Sequence, residues 1–175
     1  PECRVVGVDK NELAVNNAKA LAERLGLSNV EFVTADIYDF VLDEKASVAT
    51  SFRGLLDIAQ KQTSGVSVIG ERSERENAYQ QAFSPLATAI ANNLTDDGAV
   101  ISVERYTALY GWLGWMQALA EVGVSPVMDK CARMVAQDIS TKKDYSVTFA
   151  QKSSKSTPLE AYNYVMEQNF KSKVH

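Results

Sequence analysis

Along the first forty residues the chain switches between short apolar runs and a helical repeat. Val5, Val6 and Val8 form a run closed by Asp9, and Val30–Ala35 forms another closed by Asp36. Runs this short, ended by acidic turns, suit strands buried on both faces of a parallel sheet. Between them Ala14, Ala18, Leu21 and Leu25 recur at the helical period, which predicts one apolar stripe. Asn11 is placed to cap that helix, and Glu12 puts negative charge at its positive end. Gly26 supplies a left-handed stop, with Leu27 packing back on the last turn. Strand, helix and strand make a βαβ unit with parallel strands and a right-handed crossover. Asp9 and Asp36 then sit together at the carboxyl ends of the strands, the ligand edge of such a sheet.

Further on, Val48, Phe52, Leu55 and Ala59 share a stripe, which predicts a helix over Ser47–Gln62 broken by Thr63-Ser64-Gly65. Val66–Ile69 is a brief fourth strand. Glu71–Asn77 (ERSEREN) is then the loop at its carboxyl end or, from its i,i+3 and i,i+4 charges, a solvated helix start. Ser84-Pro85 marks a helix start, continued by Leu86, Ile90 and Leu94. Thr95–Gly98 makes a turn into a buried strand, Ala99–Glu104, and Glu104, Arg105 and Tyr106 emerge at its end. Leu109, Leu113, Met116 and Ala120 align on a helix over Leu109–Val122, with Trp112 and Trp115 as core and Gly123 as the stop. Val124–Met128 and Arg133–Ala136 supply strand material, and Tyr145–Ala150 alternates as a half-exposed edge strand. After a linker at Ser153–Ser156, Thr157-Pro158-Leu159-Glu160 is a capping box. Its helix should bury Leu159, Tyr162, Val165, Met166 and Phe170. The pattern predicts an α/β, doubly wound, mostly parallel sheet with a late antiparallel hairpin and a C-terminal helix. Residues 1–152 form the α/β domain, and 153–175 form the linker and helix packed on it.

Composition narrows the chemistry. With 46% hydrophobic and 23% charged residues, the 175-residue chain is globular in character and long enough for one core. A net charge of −4 without a basic run gives no general nucleic-acid footprint. Cys3, Cys131 and a single His175 offer no zinc spacing, so no metal site is expected. No apolar run reaches the roughly 18 residues of a membrane span, and no signal peptide opens the chain, so a cytoplasmic location is expected.

An acid at the end of a parallel strand can accept two charge-assisted hydrogen bonds from a ribose diol. The turn Ala35-Asp36-Ile37 can hold an adenine, with a carboxylate for its amine and an apolar side chain against its ring. The same acids also suit plain strand ends and turn caps. The stretch VVGVDKNELAVNNAKALAERLGLSNVEFVTADI resembles the second and third strands of class I S-adenosylmethionine-dependent methyltransferases, strongly over about residues 4–40. The resemblance implies a Rossmann-like fold and S-adenosylmethionine as cofactor. It puts Asp9 on the ribose hydroxyls, Asp36 on the adenine amine, and Lys10, Ala35 and Ile37 beside the base. SPLATAIANNLTDDGAVISVER is similar to that family's segment before and through its fifth strand, keeping one glycine, Gly98, in the turn. The family's loop after the fourth strand faces the transferring methyl, which implies Glu71 and Arg72 as substrate-side candidates together with Glu104. No N/D-P-P-Y/F motif marks that loop. Arg105 and Tyr106 could contact an acceptor too, or pair with Glu104.

The family's first strand and Gly-rich loop have no counterpart, and no G-x-G occurs in the sequence. A fragment of a longer chain is therefore expected. Three functions follow. Methyl transfer from S-adenosylmethionine comes first, with the acceptor open among small molecule, protein and RNA and the acidic balance favouring a small molecule. A non-catalytic, degenerate domain of the same fold acting in binding or scaffolding comes second. A short-chain nicotinamide-dependent oxidoreductase comes last, because none of the seven tyrosines has Lys four residues later. An exposed sheet edge would favour a homo-oligomer.

Overall fold

The computed structural model describes residues 3–59, 71–105, 109–137 and 142–171. Two compact units divide the chain, residues 1–41 and 42–175.

In the first unit, β1 (Val5–Asp9) and β2 (Val30–Thr34) pair in parallel, Val5 opposite Val30 and Asp9 opposite Thr34. Helix α1 (Glu12–Arg24) connects them. Asn11 Oδ1 accepts the Ala14 N–H at 3.2 Å, as its position predicts. Gly26, at φ 67°, ends the helix, and the Leu27 N–H reaches back to the Ala22 carbonyl at 3.0 Å. The buried stripe of α1 is not the expected one. Val15 and Ala22 are buried, whereas Leu21 and Leu25 are 46% and 60% exposed. The helix is rotated toward its smaller side chains, which lets it lie close on the strands. The strands are also less buried than their sequence suggests: the middle residues are half-buried and Val5 is exposed. A Cβ on Gly7 would sit 2.7 Å from the Phe32 ring, so glycine lets that ring cross β1.

The second unit holds a mixed sheet in the order β3-β4-β7-β5. Strand β3 (Ala46–Phe52) runs parallel to β4 (Leu94–Glu104), and β7 (Lys142–Gln151) runs antiparallel to β4. The two-residue β5 (Ser125–Pro126) and the longer β6 (Ala132–Gln137) both pair antiparallel with the other edge of β7. The predicted late hairpin is therefore present as β6–β7. Strand β3 replaces most of the helix expected over Ser47–Gln62, of which only α2 (Leu55–Ile58) is helical among the described residues. Ser47, Val48, Thr50 and Ser51 are poor helix formers, and parallel pairing with β4 supplies their backbone with partners. The strand expected at Val66–Ile69 lies outside the described residues.

Helix α3 (Arg72–Asn92) absorbs two other expectations. Of the two readings of Glu71–Asn77, the charged helix start holds: the stretch is the N-cap and first turns of this helix. Ser84-Pro85 is not a helix start but its interior. Pro85 is exposed, and Ser84 Oγ donates to the Gln80 carbonyl at 2.9 Å. The buried Ala82, Phe83, Leu86 and Ala87 hold the helix together on both sides of the proline. The turn expected at Thr95–Gly98 lies within β4 as a register shift, where a Cβ on Gly98 would come 2.8 Å from that of Leu94.

Helix α4 (Leu109–Glu121) is buried nearly all round, and Trp112 and Trp115 are core, as expected. It packs tightly on α3, where a Cβ on Gly114 would lie 2.6 Å from that of Tyr79. Strand β7 is central, not an edge, and its small polar face points inward, with Ser146, Thr148 and Ala150 all buried. The tryptophans explain this. Trp112 Nε1 donates to Thr148 Oγ1 at 2.8 Å and Trp115 Nε1 to Ser102 Oγ at 3.0 Å, so each buried indole needs a hydroxyl on the sheet. A 3₁₀ turn at Met128–Lys130 leads into β6. Helix α5 (Pro158–Lys171) opens with the predicted capping box. It buries Ala161, Tyr162 and Val165 against Trp112, Leu113 and Met116. Leu159 is 55% exposed, because the cap turns it away from this contact.

Candidate functional site

The carboxyl ends of β1 and β2 carry two matching turns. Asp9 Oδ1 accepts the Asn11 N–H at 2.8 Å, and Asp36 Oδ1 accepts the Tyr38 N–H at 3.1 Å. Each acid thus bonds the backbone two residues on, the local geometry aspartate favours. The Ala35 N–H donates to the Asp9 carbonyl at 3.1 Å, which sets the turns side by side. Asp9, Lys10 and Asp36 are exposed, while Ala35 and Ile37 are half-buried. Among the described residues only one oxygen of each carboxylate is hydrogen-bonded. The second oxygen leaves acceptor capacity for a ligand's hydroxyl or amine. Burial, reinforced by the neighbouring Asp36 charge, pushes the Tyr38 phenol above its ordinary range. The five residues assigned to the nucleoside therefore share one edge, with charged acceptors beside small and apolar side chains.

The second unit has its own strand-end acid. Glu104 closes β4 and is only 1% exposed. Its Oε1 accepts the Ser51 hydroxyl at 2.9 Å, the Gly54 N–H at 3.0 Å and the Leu55 N–H at 3.1 Å. Burial raises its carboxyl above the usual range against the opposing pull of these bonds, and Asp57 nearby adds to the rise. Between Ser51 and Gly54 the chain passes through Arg53 at φ 59°, the one non-glycine residue with positive φ among those described. That conformation costs a residue with a Cβ on the order of 1 kcal/mol. The Arg53 N–H donates to the Val103 carbonyl at 2.9 Å, tying the turn to the end of β4. Arg53 and Phe52 are both exposed, Phe52 by 69%.

The other substrate-side candidates lie elsewhere. Glu71 caps α3 in a reciprocal box with Glu74. Arg72 pairs with Glu76 one turn on and lies 5.3 Å over the Tyr162 ring. Arg105 is exposed, and Tyr106 lies outside the described residues. The helical spacing of Val48, Phe52, Leu55 and Ala59 runs through the Ser51–Leu55 turn and masks it in the sequence. Arg53-Gly54 directly after a Ser/Thr/Val-rich run is the signal that marks it. Among the described residues no cluster of His, Cys, Asp and Glu could hold a metal, and no helix is long and apolar enough to cross a membrane.

A parallel βαβ with acids at its ligand edge, followed by a mixed sheet with a late hairpin, defines a Rossmann-like class of α/β protein. A family profile described as a methyltransferase domain matches residues 1–154, and the chain belongs to that family. Similar solved structures include the N-methyltransferase NodS from Bradyrhizobium japonicum WM9 in complex with S-adenosyl-L-homocysteine. NodS is 14% identical with a TM-score of 0.55, over 86% of this chain and 67% of that one. Magnesium protoporphyrin IX methyltransferase (ChlM) from Synechocystis PCC 6803, with bound S-adenosylmethionine, is 17% identical with a TM-score of 0.53, over 86% and 60%. At these identities the likeness is one of fold. No curated protein matches the chain.

Proposed function

We propose that this chain binds S-adenosylmethionine through the edge formed by Asp9 and Asp36 and serves methyl transfer to a small-molecule acceptor. The observation that carries the reading is the Ala35–Asp9 backbone bond, which sets two exposed strand-end carboxylates in adjoining turns of one parallel pair. The donor set fits a nucleoside. Asp9 accepts from the ribose hydroxyls and Asp36 from the adenine amine, while Lys10, Ala35 and Ile37 flank the base. The NodS and ChlM structures support the choice of cofactor, since they hold S-adenosyl-L-homocysteine and S-adenosylmethionine respectively.

When bound, S-adenosylmethionine supplies a sulfonium methyl that is already a strong electrophile. The protein's share of the work is then chiefly positioning and exclusion of water. Asp9 is held for this by the Asn11 N–H, which fixes one carboxylate oxygen. Asp36 is fixed in the same way by Tyr38. The chain's acidic balance favours a small molecule over nucleic acid.

Calorimetric titration with S-adenosyl-L-homocysteine, beside Asp9→Ala, tests the reading. Micromolar binding that the variant loses supports it. A folded chain that binds nothing overturns it and favours a non-catalytic domain of the same fold.

A further inference from the structure

Strand β2 pairs with β1 on one side, and no described strand pairs with its other side. That outer edge carries few of the usual guards against pairing: Val30–Thr34 holds no proline, no lysine and no bulge. Its single charge, Glu31, is already matched by Arg4 at 2.8 Å. A groove runs between this edge and α1. Ala22, Leu27, Val30 and Phe32 give it an apolar lining, and Lys19 and Glu23 stand on its helical wall. Among the described residues, none of β1 and none of the second unit lines it. Lys19 and Glu23 are exposed and four residues apart, yet no ion pair among the described residues uses either. Lysine ahead of glutamate is the weaker order for a pair along one helix.

We propose that the β2 edge and its groove receive a second copy of this chain, with the two β2 strands antiparallel about a two-fold axis. The order of charges points to that occupant. A two-fold axis runs the second α1 opposite in direction to the first. With the axis near Val30, at the start of β2, Lys19 of each copy meets Glu23 of the other. The spacing allows the contact. Neighbouring strands lie about 4.8 Å apart, so two helices that each cover their own strand pair stand about 10 Å apart, a normal helix-packing distance. The two reciprocal ion pairs then close over Ala22, Leu27, Val30 and Phe32, which leave water. A wall with one uncommitted cation and one uncommitted anion suits neither a polyanion nor a strongly charged peptide. The interface lies wholly in the first unit and does not depend on what the Asp9 and Asp36 edge binds.

Sedimentation velocity on the full chain, from micromolar to millimolar concentration, is the test, with amide hydrogen exchange alongside. The chain should dimerise, and exchange across Val30–Thr34 should slow as the dimer forms. Lys19→Glu and Glu23→Lys each put like charges into both contacts. Either variant alone should dimerise about tenfold more weakly, the scale of turning two exposed attractions into repulsions. Mixed in equal amounts, the two variants regain opposite charges in both contacts and should associate to within about threefold of the parent. The double variant, Lys19→Glu with Glu23→Lys, should do the same. Both positions are exposed on α1, and circular dichroism of each variant should match the parent. A chain that stays monomeric throughout would overturn the proposal and leave the groove to a strand from an unlike chain. So would a dimer indifferent to both single variants, a mixture no tighter than its components, or a dimer whose β2 amides exchange as fast as the monomer's.

Discussion

Asp9 and Asp36 in the first unit and Glu104 in the second are all acids that close a strand, yet they do opposite jobs. The aspartates are exposed, and each gives one oxygen to the backbone two residues ahead. Glu104 is 1% exposed and binds groups some fifty residues back in the chain. A carboxylate at the surface keeps its charge at little cost and has capacity left for a ligand. A carboxylate removed from water is costly to ionise, and several short hydrogen bonds must offset that cost. Exposure thus separates an acid with acceptor capacity to spare from an acid that builds.

The sharpest way to break this comparison is to remove each acid and measure stability and ligand affinity separately. Glu104→Ala leaves three donors without their acceptor. Its loss in urea denaturation should be about 3 kcal/mol, since partial rehydration of the turn keeps it below the sum of the separate penalties. Asp9→Ala should cost less than about 1 kcal/mol in the same measurement, being an exposed turn acid. Its effect should appear instead as a roughly 10- to 100-fold loss of S-adenosyl-L-homocysteine affinity by calorimetry, the scale of losing a charge-assisted pair of hydrogen bonds. A large stability loss from Asp9→Ala, or none from Glu104→Ala, would reverse the assignment.

A second contrast lies within the core. Thr148→Val keeps the shape of β7 and strips the acceptor from the buried Trp112 indole, which should cost about 1–3 kcal/mol by thermal or chemical unfolding. The partner comparison is Asn11→Ala at the surface, where loss of the α1 cap should cost about 1 kcal/mol.

The smallest effect is in pH dependence. Glu104 is raised in the folded state, so folding favours its protonated form. The penalty is absent below the ordinary carboxylate range and grows as pH rises through the raised value, so stability from this group falls across that window. Glu160 has the opposite sign: bonds from Thr157 lower it, and its contribution is lost as pH falls through its folded value. Subtracting the Glu104→Gln stability profile from that of the parent should isolate a declining difference between about pH 4 and the raised value. A flat difference would mean the acid is no harder to ionise folded than unfolded.

The βαβ and its acids were legible because their determinants are local. Asn11, Glu12 and Gly26 act on backbone groups within a few residues, and each cap appears where the sequence puts it. The capping box at Thr157 is legible for the same reason. The segment 46–55 was not. Val48, Phe52, Leu55 and Ala59 fit a helical stripe, but Val48 and Phe52 are exposed while Leu55 and Ala59 are buried. The turn that Glu104 grips was hidden with it.

By itself the sequence determined the parallel βαβ, the placement of Asp9 and Asp36 at one edge, the caps of α1 and α5, and the tryptophan-rich core helix. These follow from periodicity and from hydrogen bonds that close within a turn or two. Tertiary structure decided that Ala46–Phe52 is a strand, because its backbone partners lie on β4, beyond the reach of local propensity. It also decided that β7 turns Ser146 and Thr148 inward, because Thr148 must face a buried indole that arrives from another helix. Finally, it made Glu104 a structural acid, because its burial depends on a turn some fifty residues earlier in the chain.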